Sequence, residues 1–191
     1  WPSDNTDPIE RLVIQWGFSQ VFPAKTMCAH VTTWNKNSSV KFRTDVAMMC
    51  KLGFDIKLAD MSKDDETYCR TAVQNYNRLK PVVLEGDMYR LVSPYGSNHT
   101  STMYVGKDKD KAAVFAFDIH PRYAEKILPV RLQGLDADKM YRVKEINLMP
   151  GANSSLSGNG EVFSGEFLMN VGLNLFTAQQ LNSRVIEVVA E

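Results

Sequence analysis

Residues 1–12 read WPSDNTDPIERL, Trp1 to Leu12, and this stretch decides how the rest of the chain is understood. Asp7, Pro8 and Glu10 have the order of an N-cap, a first helical position and a capping-box partner. A short acidic loop, Ser3 to Asp7, therefore runs directly into a helix. The N-cap role absorbs Asp7 and leaves Asp4 as a carboxylate without a structural duty. A loop carboxylate at a helix N-terminus is where an α/β enzyme holds a catalytic acid. Such a loop normally follows a strand, and none precedes it here. The expectation is that the chain is the C-terminal piece of a larger protein.

Further along, the texture changes near residue 86. The first part alternates helices with short strands. The spacing of Ile9, Leu12, Val13, Trp16 and Val21 predicts a helix from Pro8 to about Phe22, stopped by Pro23. A strand is expected over Thr26–Thr33 and a turn over Asn35–Ser39. A second helix is expected over Phe42–Leu52, with Gly53 as its C-cap, and a second strand over Phe54–Leu58. Ser62 caps a long helix whose first turn carries Asp64, Asp65 and Glu66, and Pro81 is expected to kink its end. Alternation of this kind means βα units. Two strands cannot bury both faces of a sheet, so the helices are expected to need a partner the chain does not supply.

From Met88 onward the pattern is that of short strands. They are expected at Met88–Val92, Thr102–Val105, Ala112–Asp118, Ile127–Leu132, Tyr141–Leu148 and Arg184–Val189. This spacing suggests an antiparallel sandwich. Ser164 to Gly172 reads as a short helix, with a strand as the alternative.

Composition excludes several classes of function. Of 191 residues, 22 are Lys or Arg and 22 are Asp or Glu, so the formal net charge is zero. That gives no electrostatic footprint for nucleic acid or an anionic membrane. No apolar run approaches the roughly 20 residues of a membrane span. Cys28, Cys50 and Cys69 lack Cys-x-x-Cys spacing, and His30, His99 and His120 are scattered, so neither a metal site nor a cofactor is expected. Three free thiols point toward the cytoplasm, while a removed signal peptide fits a periplasmic or secreted protein equally well. Asn37, Asn98 and Asn153 head glycosylation-type triplets that arise often by chance.

Trp1-x-Ser3-Asp4-Asn5-Thr6-Asp7 followed by Arg11 resembles the signature of family 36 α-galactosidases. The likeness continues in order through Ala29-His30-Val31, Arg43-x-Asp45-Val46-Ala47 and Leu52-Gly53-Phe54. It runs on through Tyr89-Arg90-Leu91-x-Ser93-Pro94, Gly134-Leu135-Asp136-x-Asp138-Lys139-x-Tyr141-Arg142-Val143 and the stretch from Gly165 to Leu173. Each motif is weak alone, and their collinear order is what carries the resemblance.

The resemblance implies an α+β fragment. Residues 1–86 would be the last quarter of a (β/α)8 TIM barrel, and residues 87–191 an antiparallel β-sandwich domain. It also implies retaining hydrolysis of terminal α-galactosides, which needs two carboxylates about 5–5.5 Å apart. Asp4 would be the acid/base. Trp1 could wall the sugar site, and simple packing explains it equally well. Arg11 is expected to pair with a neighbouring carboxylate, and His30 to be a core or loop residue. The family's nucleophile, in a Lys-Trp-Asp motif, does not occur here. The 191 residues alone are therefore expected to be inactive. Their unpartnered barrel-facing surface is expected to make them self-associate as a homo-oligomer. The alternative is a carbohydrate-binding or structural β module, for which Tyr89, Tyr95, Tyr104 and Tyr123 would have to form an exposed row.

Overall fold

The structure, a computed structural model, describes residues 7–32 and 37–191. Asp7 caps the first helix, α1 (Pro8–Phe18), by accepting hydrogen bonds from Ile9 N at 3.0 Å and Glu10 N at 3.1 Å. The helix stops four residues earlier than its apolar spacing suggests. Val21, expected on its buried face, is 77% exposed in the turn that follows. A parallel pair comes next, β1 (Cys28–Thr32) and β2 (Lys51–Asp55), connected through α2 (Val40–Ala47).

The second helix and strand differ from the sequence expectation. Met48 caps α2 by donating to Thr44 O at 2.9 Å, and β2 begins at Lys51. Gly53 is therefore a strand residue and not a helix cap. A Cβ built there would lie 3.5 Å from His30 Cβ on the neighbouring strand. Val46, Met49 and Cys50 are buried as expected, but only Val46 is helical. A tight turn buried the other two, and their spacing imitated a helix.

Ser62 Oγ accepts from Asp65 N at 3.1 Å and starts α3 (Lys63–Glu85), which continues through Pro81 to its end. Pro81 lies in the last turns, where one missing N–H costs little helix. Six antiparallel strands form one sheet: β3 (Asp87–Val92), β4 (His99–Val105), β5 (Lys111–Asp118), β6 (Met140–Ile146), β7 (Val162–Ser164) and β8 (Asn182–Ala190). Their spatial order is β3-β4-β5-β8-β6-β7. The last helix, α4 (Gly165–Asn170), is capped by Ser164 as the sequence implied. Val171 is its C-cap, and Gly172 follows with a φ of +88°, where a Cβ would fall 2.3 Å from Val130 O.

One face of this sheet receives the helical half. Tyr104, Ala113, Phe115, Phe117 and Val185 share a core with Leu12, Phe42, Tyr68 and Leu79. Phe42 meets Phe117 edge-on at 5.6 Å, and Tyr104 OH donates to Met49 O at 2.7 Å. The helices thus find a partner within the chain, which their two-stranded companion sheet alone could not provide. Strand alternation sends Met103, Val114, Ala116, Ile186 and Val188 to the opposite face. No second sheet covers that face among the described residues. Leu168 of α4 and the loop residues Val130, Leu132, Leu135, Leu156, Leu173 and Leu175 cover it. The strand expected at Ile127–Leu132 is reduced to a single bridge between Val130 and Leu173. Pro129 cannot donate to a ladder and interrupts pairing there.

A polar network crosses the junction of the two halves. Asp45 of α2 is fully buried. It accepts from Lys41 Nζ at 2.6 Å, Ser183 Oγ at 2.7 Å, Tyr68 OH at 2.9 Å and Asn147 Nδ2 at 3.0 Å. Asn75 Nδ2 in turn donates to Asn147 Oδ1 at 2.6 Å, and Lys41 Nζ reaches Ser183 O at 2.7 Å. Burial, reinforced by the Asp45 charge, holds the Tyr68 phenol well above its ordinary pKa. It stays a neutral donor. A buried carboxylate is tolerable only with such a full set of donors.

Asp45→Ala should therefore lower the unfolding free energy by about 3–5 kcal/mol, because Lys41 loses its buried partner. Tyr68→Phe should cost about 1–3 kcal/mol. Urea unfolding of the three proteins checks both, and equal midpoints would refute the network's role. The thiols make a pH prediction. Burial raises Cys50 from 9.0 to about 12, and burial with the Asp65 charge raises Cys69 from 9.0 to about 11. The unfolded chain releases these protons at lower pH than the folded chain does. Stability should then be intact below pH 9 and fall as pH rises through that window. Tyr68 and Tyr104 are raised in the same sense, so replacing Cys50 and Cys69 by Ala should flatten the decline without abolishing it. Unfolding free energies measured between pH 8 and 11 provide the comparison.

Candidate active-site face

In a βα unit the helix starts where its strand ends, so strand C-termini and helix N-termini gather on one face. Thr32 and Asp55 end β1 and β2 in register with each other. Ser39 caps α2 through a 3.1 Å bond from Phe42 N, and Ser62 caps α3. A cleft of about 280 Å³ opens on this face, lined by Thr32, Ser38, Ser39, Arg43, Lys57, Asp60 and Asp65 among others. Both helix N-termini present backbone N–H groups at this end.

Arg43 contributes a half-buried positive charge to the cleft lining. Its Nη1 donates to Thr32 O and its Nε to Ser39 O at 3.4 Å. Half-burial lowers its pKa, and the charges of Asp65 and then Cys69 oppose that shift. Ser38 is 9% exposed, and its hydroxyl has no hydrogen-bond partner among the described residues. Lys57 and Asp60 stand exposed at the rim. The cleft is polar and carries both signs of charge. Such a lining suits a neutral ligand rich in hydroxyl groups, which needs donors and acceptors together.

Trp1 and Asp4 lie outside the described residues. Asp7 takes the capping role read from the sequence. Arg11 is buried in α1, at 2% exposure, and His30 is half-buried on β1. In the sequence Asp65 is legible only as a helix-dipole partner, and Arg43 carries no role of its own. The available signal was spacing: Arg43 lies one helical turn after the Ser39 cap, so its side chain points back toward the cap.

His99, one of the scattered histidines, finds its partner only in the folded chain. Its Nδ1 lies 2.7 Å from Asp118 Oδ1, and both residues are buried. Asp118 further accepts from Thr177 N at 3.1 Å, Thr177 Oγ1 at 2.7 Å and Asn182 Nδ2 at 3.0 Å. These bonds tie the segment before β8 to β4 and β5. Tyr89, Tyr95, Tyr104 and Tyr123 form no exposed row: Tyr95 and Tyr123 are exposed, Tyr89 is half-buried and Tyr104 is buried. Among the described residues no cluster of three or more His, Cys, Asp or Glu could hold a metal ion, and no helix is long and apolar enough to cross a membrane.

Known proteins resemble the chain along its whole length. The family model described as Melibiase matches residues 1–86, and that of the glycosyl hydrolase family 36 C-terminal domain matches residues 99–188. α-Galactosidase 2 of Hypocrea jecorina is 34% identical over 97% of this chain and 24% of its own length. The crystal structure of the family 36 α-galactosidase AgaB from Geobacillus stearothermophilus superposes with a TM-score of 0.86 at 28% identity. It is matched by 100% of this chain and over 25% of its own. A variant of AgaA from the same organism, in complex with stachyose, gives 0.87 at 29% identity, with 100% and 26% coverage. The chain thus spans about a quarter of the length of these relatives. Two family models that cover both halves in order, and superposition over the whole chain, lead to one conclusion: the chain belongs to glycoside hydrolase family 36.

Proposed function

We propose that these residues form the C-terminal quarter of a retaining α-galactosidase acting on terminal α-galactosides of the melibiose and raffinose type. The observation that carries the reading is the cleft at the C-terminal ends of β1 and β2. In a (β/α)8 barrel that face holds the active site. On this reading residues 1–86 are the last quarter of the barrel and residues 87–191 the β domain that braces it. The shared core supports such a bracing role. Leu58 and Val73, exposed at 73% and 38% beside the half-buried Phe54 and Ile56, mark where the rest of the barrel would pack. In the isolated chain the same surface would drive self-association into a homo-oligomer.

Asp4 is proposed as the acid/base and Trp1 as a wall of the sugar site. The acid protonates the leaving oxygen when the glycosyl-enzyme forms, then takes a proton from the water that hydrolyses it. A carboxyl serves both steps only if its environment keeps it protonated before the first. The second carboxylate, the nucleophile, belongs to the part of the enzyme outside these residues.

Two measurements test this. Purified alone, the 191-residue chain should be an oligomer by light scattering and should not turn over an aryl α-galactoside. Activity there would mean that both carboxylates lie within it. In the full-length enzyme, Asp4→Ala should slow hydrolysis of raffinose by about 10²–10⁴-fold. An aryl galactoside with an acidic phenol should lose less in its first step, because that leaving group departs without a proton. An equal loss on both substrates would remove Asp4 from the acid role.

A further inference from the structure

We infer that Arg43 is a positioning residue of this face, a clamp on the two ends of the connection from β1 to α2. Thr32 is the last residue of β1, and Ser39 is the N-cap of α2. A single guanidinium on α2 donates to the carbonyls of both, through Nη1 to Thr32 and through Nε to Ser39 at 3.4 Å. The Ser39 carbonyl also receives the backbone N–H of Arg43 at 3.2 Å, so the clamp is built onto the first turn of the helix. The planar fork holds its donors at fixed angles, which sets the spacing of the two carbonyls. That spacing defines where the connection leaves the strand and where it enters the helix.

The position has a physical cost that function would justify. A half-buried guanidinium is disfavoured by desolvation, and Asp65 across the cleft offsets this by charge without forming a direct ion pair. Ser39 Oγ already caps α2, so the helix start does not need the arginine. What the fork adds is the tie to Thr32. The inference rests on the reading that this face holds the active site, where a displacement of about 1 Å can cost 10²-fold in rate.

Arg43→Lys and Arg43→Met separate fork from charge. The lysine keeps the charge but is a point donor on a flexible stem. In the 191-residue chain, amide exchange at Thr32 and over residues 37–40 should quicken about tenfold in both variants, while Thr44–Ala47 and α3 stay as in the wild type. In the full-length enzyme both variants should lose about tenfold or more in kcat/KM at an unchanged unfolding midpoint, with Arg43→Lys no better than Arg43→Met. Unchanged exchange at Thr32 and 37–40, or exchange that rises equally throughout α2, would overturn the clamp. So would wild-type kinetics in Arg43→Lys, or faster exchange without any kinetic loss. A wild-type full-length protein without α-galactosidase activity would instead defeat the functional reading, and the exchange data would still decide the clamp.

Discussion

Asp45 holds a carboxylate at the junction of the helical half and the sheet, out of contact with water. Its donors come from α2, α3, the segment after β6 and β8, so four separated parts of the chain must be in place before the charge is satisfied. Hydrophobic burial is non-directional and would tolerate some sliding of the helices over the sheet. A carboxylate with four fixed donors does not, because any shift leaves a buried polar group unpaired. The apolar core supplies the attraction between the halves, and the Asp45 network sets their register. Asn147 accepts a positive φ of 58° to take part, a conformation Asn tolerates better than most side chains.

The sheet is covered differently on its two faces. Toward the helices it offers aromatic side chains, Tyr104, Phe115 and Phe117, that fill the space between packed elements. On the other face the cover is irregular chain, held by local polar ties in place of ladders. Arg184 donates to Leu175 O at 3.0 Å and Asn174 O at 3.2 Å, and Glu145 accepts from the hydroxyl of Ser154 at 2.5 Å. A loop placed over a core must satisfy its own backbone groups, and buried charged residues provide donors and acceptors for that task. Arg184 and Glu145 are both nearly inaccessible and lie 3.7 Å apart at their nearest charged atoms.

The cleft on the β1–β2 face depends on this scaffold indirectly. Its lining comes from α2 and α3 and from the segments that precede them, and the Asp45 network fixes α2 and α3 against the sheet. Arg43 and Asp45 are neighbours by two on one helix. One side chain reaches up to the strand ends and the other inward to the junction. The family 36 relatives carry this same quarter within much longer chains. Within this quarter the short helix α2 reaches both the sheet junction, through Asp45, and the cleft, through Arg43.

Several features were legible in the sequence because they are local. The caps at Asp7, Ser39, Ser62 and Ser164 depend on a side chain and the N–H groups two or three residues on, and three of them were read directly. The strand runs at residues 102–105, 112–118 and 184–189 were read from alternation and apolar content, and the change of texture near residue 86 from the switch in period. The family was legible too, since its motifs recur in order. Other features had no local signature. The turn at Met48–Cys50 mimicked a helix, because burial there comes from Tyr104 and the sheet beyond, not from periodicity. Val130 looked like strand and became cover, because pairing depends on a neighbour that Leu173 supplies at one position only. The roles of Arg43, Asp45 and His99 were invisible for the same reason. Their partners lie in other elements, and only packing of the folded chain brings a charge and its distant donors within hydrogen-bond range.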